Sequence, residues 1–138
     1  MRVHPLRLSP GDDVRHAVVE ALKSCNASAA FVLQGIGSLG AAQVRFAGAE
    51  LPAELRGDLE ILTLAGSVSP DGAHLHVCVS DACGHVSGGH VAPGCIVRTT
   101  VELLLALLPD HRFSREHDPQ TGYAELTIRQ AGQPDGAS

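Results

Sequence analysis

The stretch from Asp71 to Arg98 constrains this chain most, because its pattern fits a β-hairpin and little else. Apolar and polar residues alternate from His74 to Ser80, which is the period of a strand that buries one of its faces. A polar turn that ends in a glycine follows at residues 81–84, and a second strand-like stretch then returns. The sequence therefore predicts two antiparallel strands with a core face and a polar face.

Three histidines belong to the polar face of this hairpin. His74 and His76 are two residues apart, so they share a face and lie roughly 6.5–7 Å from each other along the strand. Two glycines precede His90, and we expect them to form a bulge or to permit a close backbone approach that brings His90 over the same face. Three imidazoles can hold one divalent metal ion, for which Zn²⁺ is well suited. The alternative is a plain polar outer face of a half-buried strand.

Composition favours a single domain with an aliphatic core. The chain has 138 residues, of which 44 % are hydrophobic and only 3 % aromatic, and this length is enough for one real core. We predict a single domain over residues 1–129 and a flexible tail over residues 130–138. None of the four cysteines forms a Cys-x-x-Cys pair, so we expect free thiols, with Cys78 on the histidine face.

The order of predicted elements is one strand, one helix and then several strands, which indicates an α+β fold. The helix should begin near Asp13 and end near Ser24, because apolar residues recur there at helical spacing. It should cover one face of a strongly curved antiparallel or mixed sheet. Residues 94–108 can be read as a strand throughout or as a strand that becomes a helix. The other predicted strands are residues 2–8, 29–34, 41–46, 58–69, 112–117 and 123–129.

Two segments that contain glycine lie between these strands. The glycine-rich stretch Gly35–Gly40 follows a strand, but no lysine follows it, so close passage of two backbones is favoured over a phosphate-binding loop. Residues 47–57 are polar and contain glycine and proline, which predicts a loop.

Charged residues on the predicted strand within residues 94–108 supply candidate catalytic groups. If residues 96–102 are extended, Arg98 and Glu102 share a face. They form either an ordinary cross-strand ion pair or a charged lining for the histidine pocket. In the second interpretation Glu102 or Asp81 transfers a proton and Arg98 holds a carboxylate.

Charge and hydropathy limit the possible partners and the location. The formal net charge is −5, with ten Lys and Arg residues against fifteen Asp and Glu, and the basic residues are scattered. Direct binding to nucleic acid is therefore disfavoured, since it depends on clustered basic side chains. No apolar run reaches the ~20 residues that span a bilayer, and residues 1–6 do not resemble a signal peptide. We expect a soluble, cytoplasmic protein.

Taken together, several segments resemble the plants-and-prokaryotes-conserved (PPC) domain, and the resemblance extends from Met1 to about Arg129. It implies a β-rich α+β domain that assembles into trimers, and Val101, Leu103, Leu105 and Leu107 are our candidates for burial between subunits. The segments are G-I-G-S-L-G (Gly35–Gly40), E-I-L-T-L-A-G-S-V (Glu60–Val68), G-A-H-L-H-V-C-V-S-D (Gly72–Asp81), G-H-V-S-G-G-H (Gly84–His90) and D-P-Q-T-G-Y (Asp118–Tyr123).

The same resemblance bears on the metal. PPC domains are similar in fold to acetolactate decarboxylase, whose zinc is held in an H-x-H…H arrangement that His74, His76 and His90 match. The AT-hook sequence R-G-R-P of the plant members does not occur here. The resulting hypothesis is a stand-alone homotrimeric PPC-like module with a three-histidine zinc site. The alternatives are a zinc-dependent lyase or hydrolase acting on a small carboxylated carbonyl compound, and a DNA-associated transcriptional regulator that acts through partners.

Overall fold

A computed structural model describes residues 1–132 of the chain. This part contains one α-helix and eight β-strands, and it confirms the predicted α+β class. In chain order the elements are β1 (Arg2–Leu8), α1 (Val14–Ser24), β2 (Ala30–Arg45), β3 (Ala53–Ser69), β4 (Gly72–Ser80), β5 (Val86–Val91), β6 (Ile96–Leu107), β7 (His111–His117) and β8 (Ala124–Gln130).

Six strands form one strongly curved sheet. The strand order is β1-β6-β2-β3-β4-β5, and β2 also pairs with β5, so that strands β2 to β5 close on themselves. Every pairing between these strands is antiparallel, which excludes the mixed sheet that the sequence also allowed. Because of this closure, the last residues of β2 lie beside the end of β5.

Helix α1 covers one face of the sheet, where the core lies. Asp13 caps its start by accepting the His16 N–H at 3.0 Å, as expected for an N-cap aspartate. The carboxylate of Asp13 also accepts the Gly94 N–H at 2.7 Å and so ties the helix to the loop before β6. The buried residues of the helix are Val14, Val18, Ala21 and Leu22, and the predicted bounds are correct to one residue.

Strands β2 and β3 are longer than predicted. Gly35–Gly40 lies within β2 and does not end a strand, because its glycines allow the neighbouring strand to approach closely. A Cβ on Gly37 would lie 2.2 Å from the Thr100 carbonyl oxygen, which confirms the close-passage interpretation. Strand β3 begins at Ala53, since residues 53–56 pair with residues 41–44 of β2, so the predicted loop over residues 47–57 was too long.

Strand β6 resolves the ambiguous segment, since residues 96–107 are extended throughout. It lies between β1 and β2, so both of its edges find backbone partners. Four residues of β6 are buried in the core of their own chain, each with at most 5 % of its surface exposed: Val101, Leu103, Leu105 and Leu107. The prediction that these side chains pack between subunits was therefore wrong.

The β7–β8 hairpin forms a second, two-stranded sheet. Phe113 of β7 is buried and meets Phe31 of β2 edge-on, with ring centroids 5.5 Å apart. The Phe113 N–H donates to the Ser28 carbonyl at 3.0 Å, and Arg115 donates from Nη2 to Ser67 Oγ at 2.8 Å. These contacts hold the hairpin against β3 and the end of β2 nearest α1.

Three further predictions concern the C-terminal tail, the cysteines and membrane-spanning segments. Gln130, the first residue of the predicted tail, is the last residue of β8, and residues 133–138 of that tail lie outside the described part. All four cysteines are free thiols, as expected. No helix within residues 1–132 is both long enough and apolar enough to cross a bilayer.

Candidate metal centre

The three predicted histidines lie together on the outer face of the curved sheet. Burial alternates along β4, with Leu75 and Val77 in the core and His74 and His76 on the other face, as the sequence pattern predicted. His90 of β5 is the register partner of His76, and directly opposed residues of paired strands share a face. Local alternation therefore places two of the imidazoles, and strand pairing places the third.

The glycines before His90 act by allowing close approach and not by forming a bulge. The register between β4 and β5 is continuous from His76 to Ser80, so the bulge that the sequence allowed is absent there. A Cβ on Gly88 would lie 2.5 Å from the Val77 carbonyl oxygen, and a Cβ on Gly89 would lie 2.6 Å from the Arg45 carbonyl oxygen. Glycine at both positions lets β5 fit between β4 and the end of β2.

The distances between the imidazoles suit a single metal ion. Their ring centroids are 5.0 to 5.8 Å apart, and one nitrogen from each ring lies within 4.8 Å of the other two. The Nε2 atoms of His74 and His76 are 3.2 Å apart. Two nitrogens at 2.0–2.1 Å from a tetrahedral zinc ion lie about 3.3–3.4 Å apart. The His74–His76 pair is close to this separation, and the ligand nitrogen of His90 lies within 4.8 Å of both.

Two of the three histidines are held in the neutral form that binds metals. Burial lowers the pKa of His90 to about 4, and the nearby His74 and Arg45 contribute. Burial also lowers the pKa of His74, with a further contribution from Arg115. The Nδ1 atom of His90 is buried and has no hydrogen-bond partner among residues 1–132. A buried nitrogen without a partner is costly, and a metal ion bound to this atom would remove the cost.

An open cavity of about 930 Å³ lies beside His74 and His90. Its charged lining comes from α1, from the end of β2 and the loop after it, from the β3–β4 turn, and from both strands of the β7–β8 hairpin. No local sequence pattern connects these segments, so sequence reasoning missed their residues as part of the site. The charged lining residues are Arg15, Arg45, Arg115, Glu50, Asp71 and Glu125.

Arg98 and Glu102 lie elsewhere on the surface of the same chain. Arg98 forms an ion pair with Asp58 at 3.1 Å, and both side chains are largely exposed. Glu102 is exposed and pairs in register with Arg7 of β1 and Ile36 of β2. Neither residue lines the histidine cavity. Within the described residues Arg98 is therefore paired with Asp58 and not with Glu102, and a catalytic role for Arg98 and Glu102 stays a prediction.

Asp81 shapes the turn between β4 and β5. Its Oδ1 atom accepts the N–H groups of Cys83 at 2.8 Å and of His85 at 2.9 Å. The hydrogen bond from the His85 N–H lowers the pKa of Asp81, which disfavours the protonated form that a general acid needs. Asp81 does not line the histidine cavity. It forms a second possible ligand group with Cys83 and His85, but all three residues are exposed, and the carboxylate already has the turn N–H groups as partners.

Residues 1–109 match the profile of the Plants and Prokaryotes Conserved domain, which is abbreviated both PCC and PPC. The chain belongs to this family. The match ends before β7, so the hairpin that supplies Arg115 and Glu125 to the cavity lies outside the matched residues. The PPC resemblance read from the motifs is confirmed.

Solved structures of similar proteins support the fold. A hypothetical protein from Salmonella enterica is 39 % identical, with a TM-score of 0.90 over 94 % of both chains. A protein from Archaeoglobus fulgidus described as metal-containing is 28 % identical, with a TM-score of 0.77 over 92 % of this chain and 94 % of that one. A protein from Ralstonia eutropha described as a candidate for DNA binding is 25 % identical, with a TM-score of 0.71 over 94 % of this chain and 90 % of that one.

Curated relatives contain a similar segment within a longer chain. Two proteins from Synechococcus, each named bifunctional protein GlmU, are 46 % and 45 % identical to this chain over 135 and 133 residues. The aligned segments cover 97 % and 96 % of this chain. This chain therefore spans about a fifth of the length of these relatives, since the aligned part is 21 % of each.

Proposed function

We propose that this chain is a metal-binding PPC module that holds one divalent ion on His74, His76 and His90. The observation that carries the proposal is the convergence of three imidazole nitrogens within 4.8 Å, one ring of which has a buried Nδ1 atom without a partner. Neutral imidazoles are good ligands for zinc, and three of them leave one coordination position open. We therefore propose Zn²⁺ as the ion, and the metal-containing relative from Archaeoglobus fulgidus supports a metal at this fold.

The test is metal analysis of protein purified without a histidine tag. We expect about one divalent ion per chain, as a three-histidine site requires. His90→Gln should lose it, because glutamine is a far weaker zinc ligand than imidazole. His85→Gln is the matched control, since His85 belongs to the same hairpin but to the exposed group at the turn. Metal-free wild-type protein, or equal metal content in wild type and His90→Gln, would contradict the proposal.

We also propose that the chain assembles into trimers, as the family resemblance implies. Three apolar side chains support an assembly through the outer face of the sheet, because each has about half of its surface exposed. Leu33 and Leu62 lie at irregularities of β2 and β3, and Ile36 lies on β2 nearby. Light scattering should give a trimer for wild type and for the loop control Leu51→Glu, and a smaller species for Ile36→Glu. Wild-type protein that is monomeric at micromolar concentration would refute this assembly.

The second candidate function is a zinc-dependent lyase or hydrolase that acts on a small carboxylated carbonyl compound. The cavity beside His74 and His90 favours it, since a cavity of about 930 Å³ can hold a small molecule. Zinc would supply Lewis-acid chemistry there. Arg98, Glu102 and Asp81 could contribute only if assembly brought them to the cavity of another subunit. Release of CO₂ from small keto acids by wild type, and none by His90→Gln, would support this candidate; equal rates would exclude it.

The third candidate is a DNA-associated regulator that acts through partners, and the Ralstonia eutropha relative is the reason to keep it. Direct binding to DNA is disfavoured by the formal charge of −5. We expect no shift of duplex DNA by the isolated protein at about 150 mM salt. Micromolar binding that is lost steeply as salt rises would show that the scattered arginines form a basic patch in three dimensions.

A further inference from the structure

Three arginines from separate elements surround the histidine cavity. Arg15 comes from α1, Arg45 is the last residue of β2, and Arg115 comes from β7. We call them the arginine cluster. Each is partly buried, and Arg45 is the register partner of His90 across the β2–β5 pairing. The cluster therefore lies against the candidate metal ligands and belongs to the same cavity.

None of these guanidinium groups has an anionic partner within residues 1–132. Arg15 donates from Nε to the Ala73 carbonyl at 3.2 Å, and Arg45 donates from Nη1 to the Ala49 carbonyl at 3.3 Å. Arg115 donates from Nη2 to the Ser67 hydroxyl at 2.8 Å. A guanidinium has several further N–H donors. Because each guanidinium is partly withdrawn from water, an anionic partner would offset part of its desolvation.

Three arginines elsewhere in the chain are paired with carboxylates. Arg56 meets Glu54 at 2.8 Å, Arg98 meets Asp58 at 3.1 Å, and Arg129 meets Glu116 at 2.7 Å. These three pairs lie where ion pairs contribute little. At the cavity, where an anionic partner would contribute more, no described carboxylate is in direct contact with the three guanidinium groups.

The carboxylates of the cavity do not neutralise the cluster by direct contact. Glu50, Asp71 and Glu125 line the same cavity, but no ion pair joins any of them to the three guanidinium groups in the described part. Asp71 is engaged by the backbone N–H of Arg115, which donates to its Oδ2 atom at 2.9 Å. Three carboxylates offset three arginines in formal charge, so a divalent ion on the histidines would make the cavity positive.

We propose that the cavity binds a small molecule bearing an oxyanion, a carboxylate or a phosphate, which lies on the arginine cluster while another of its oxygen atoms reaches the position between the histidines. The planar fork of arginine matches both kinds of oxyanion with paired hydrogen bonds. The contact at the histidines rests on the proposed metal site, whereas the contact with the arginines does not. The ligand class follows from the unpaired guanidinium groups and from a cavity of small-molecule size.

The β7–β8 hairpin completes this anion site. It supplies Arg115, and it lies outside the residues that match the family profile. Its position depends on the Phe113–Phe31 contact and on the bonds from Arg115 to Ser67 and Asp71. The hairpin therefore sets the position of one of the three arginines that would contact the anion.

The test is calorimetric titration of the zinc-loaded protein with malonate, with inorganic phosphate and, as an uncharged control, with malonamide. We expect at least one of the two anions to bind and malonamide to show no binding. The better anion identifies whether the charged group is a carboxylate or a phosphate. Arg45→Gln and Arg115→Gln should each weaken binding about 10- to 100-fold, as expected when a charge-assisted hydrogen bond is lost. Arg56→Gln should bind as wild type.

Two further variants distinguish a specific contact at Arg115 from a general loss of folding and from an anion site at Arg98. Arg115→Lys keeps the charge but loses the fork, so its affinity should fall between those of wild type and Arg115→Gln, which a general folding defect would not produce. Loss of binding in Arg98→Gln but not in Arg115→Gln would overturn the proposal and would favour Arg98 as the carboxylate-binding group.

Metal analysis of the same samples separates this proposal from the metal proposal. About one zinc per chain without anion binding would overturn the anion site and leave the metal site intact. Anion binding that depends on Arg115 in protein that takes up no metal would support the anion site and overturn the metal site.

Discussion

Replacing Gly89 by alanine tests how the close packing of β5 places His90. A Cβ at this position would lie 2.6 Å from the Arg45 carbonyl oxygen and 3.1 Å from Val44 Cγ1. Ordinary contact begins near 3.4 Å, so β5 and β2 must separate locally by roughly 0.8 Å. The obstacle is backbone, which cannot rotate away as a side chain can.

The expected cost follows from this displacement. Overpacking costs about 1–3 kcal/mol, and loosening the short β2–β5 pairing costs roughly another 0.5–1.5 kcal/mol for one hydrogen bond. That pairing consists of Val44 with Val91 and Arg45 with His90. We expect Gly89→Ala to lower the free energy of unfolding by about 2–4 kcal/mol and the Tm by about 6–15 °C. Zinc affinity should fall as well, because His90 lies next in the chain.

Gly40→Ala is the matched control. Gly40 also lies in a strand, but a Cβ there would meet only Arg98 Cβ, at 3.9 Å. Neither glycine has a positive φ, so backbone strain does not distinguish them. Thermal melting and zinc titration of both variants give the result. Equal Tm values for the two variants, or a destabilised Gly89→Ala that keeps wild-type zinc affinity, would refute the argument that this close approach positions His90.

Three further predictions concern pH, the β2–β3 pairing and the hairpin. Metal-free protein should lose about 1–2 kcal/mol of unfolding free energy as pH falls from 6.5 to 4, because burial lowers the folded-state pKa of His90 to about 4 while the unfolded chain binds its proton near pH 6.5. Chemical denaturation at several pH values should show this loss in wild type and little of it in His90→Gln. Gln34→Ala should cost about 1–3 kcal/mol in denaturant melts, since Gln34 Oε1 accepts the Leu64 N–H at 3.3 Å and the Gly35 N–H at 3.0 Å; a cost no larger than that of the exposed turn control Gln120→Ala would contradict it. Phe113→Ala should cost about 3–5 kcal/mol and abolish the Arg115-dependent binding of malonate or phosphate, because it removes the ring that packs on Phe31; unchanged anion binding would show that the hairpin is held by other contacts.

The elements that sequence reasoning predicted well are those with a local signal. The helix from Asp13 to Ser24 was predicted to within one residue, because its apolar stripe and its N-cap are both local. The alternation around His74 and His76 likewise indicated the face on which they lie. Both signals depend on the geometry of a few consecutive residues and need no knowledge of neighbours.

The less accurate predictions concern residues whose structural role is set by the strand that lies beside them. The glycines of Gly35–Gly40 suggested the end of a strand, whereas in the fold they allow β6 to pass close to β2. The apolar residues of β6 suggested an interface between subunits, whereas α1 and the curved sheet bury them within the chain. Of the two roles expected for the glycines before His90, the structure shows the close approach and not the bulge, because the register of β5 on β4 already places that ring.

The sequence by itself determined the α+β class, the position of the helix, and the shared face of His74 and His76, because periodicity and capping act over a few residues. Only the tertiary structure decided that β2 closes against β5 and sets Arg45 beside His90. Only the packing of α1 and of the β7–β8 hairpin brought Arg15 and Arg115 to the same cavity. These positions depend on strand register and on the sum of many distant contacts, and no short stretch of sequence carries a signal for either.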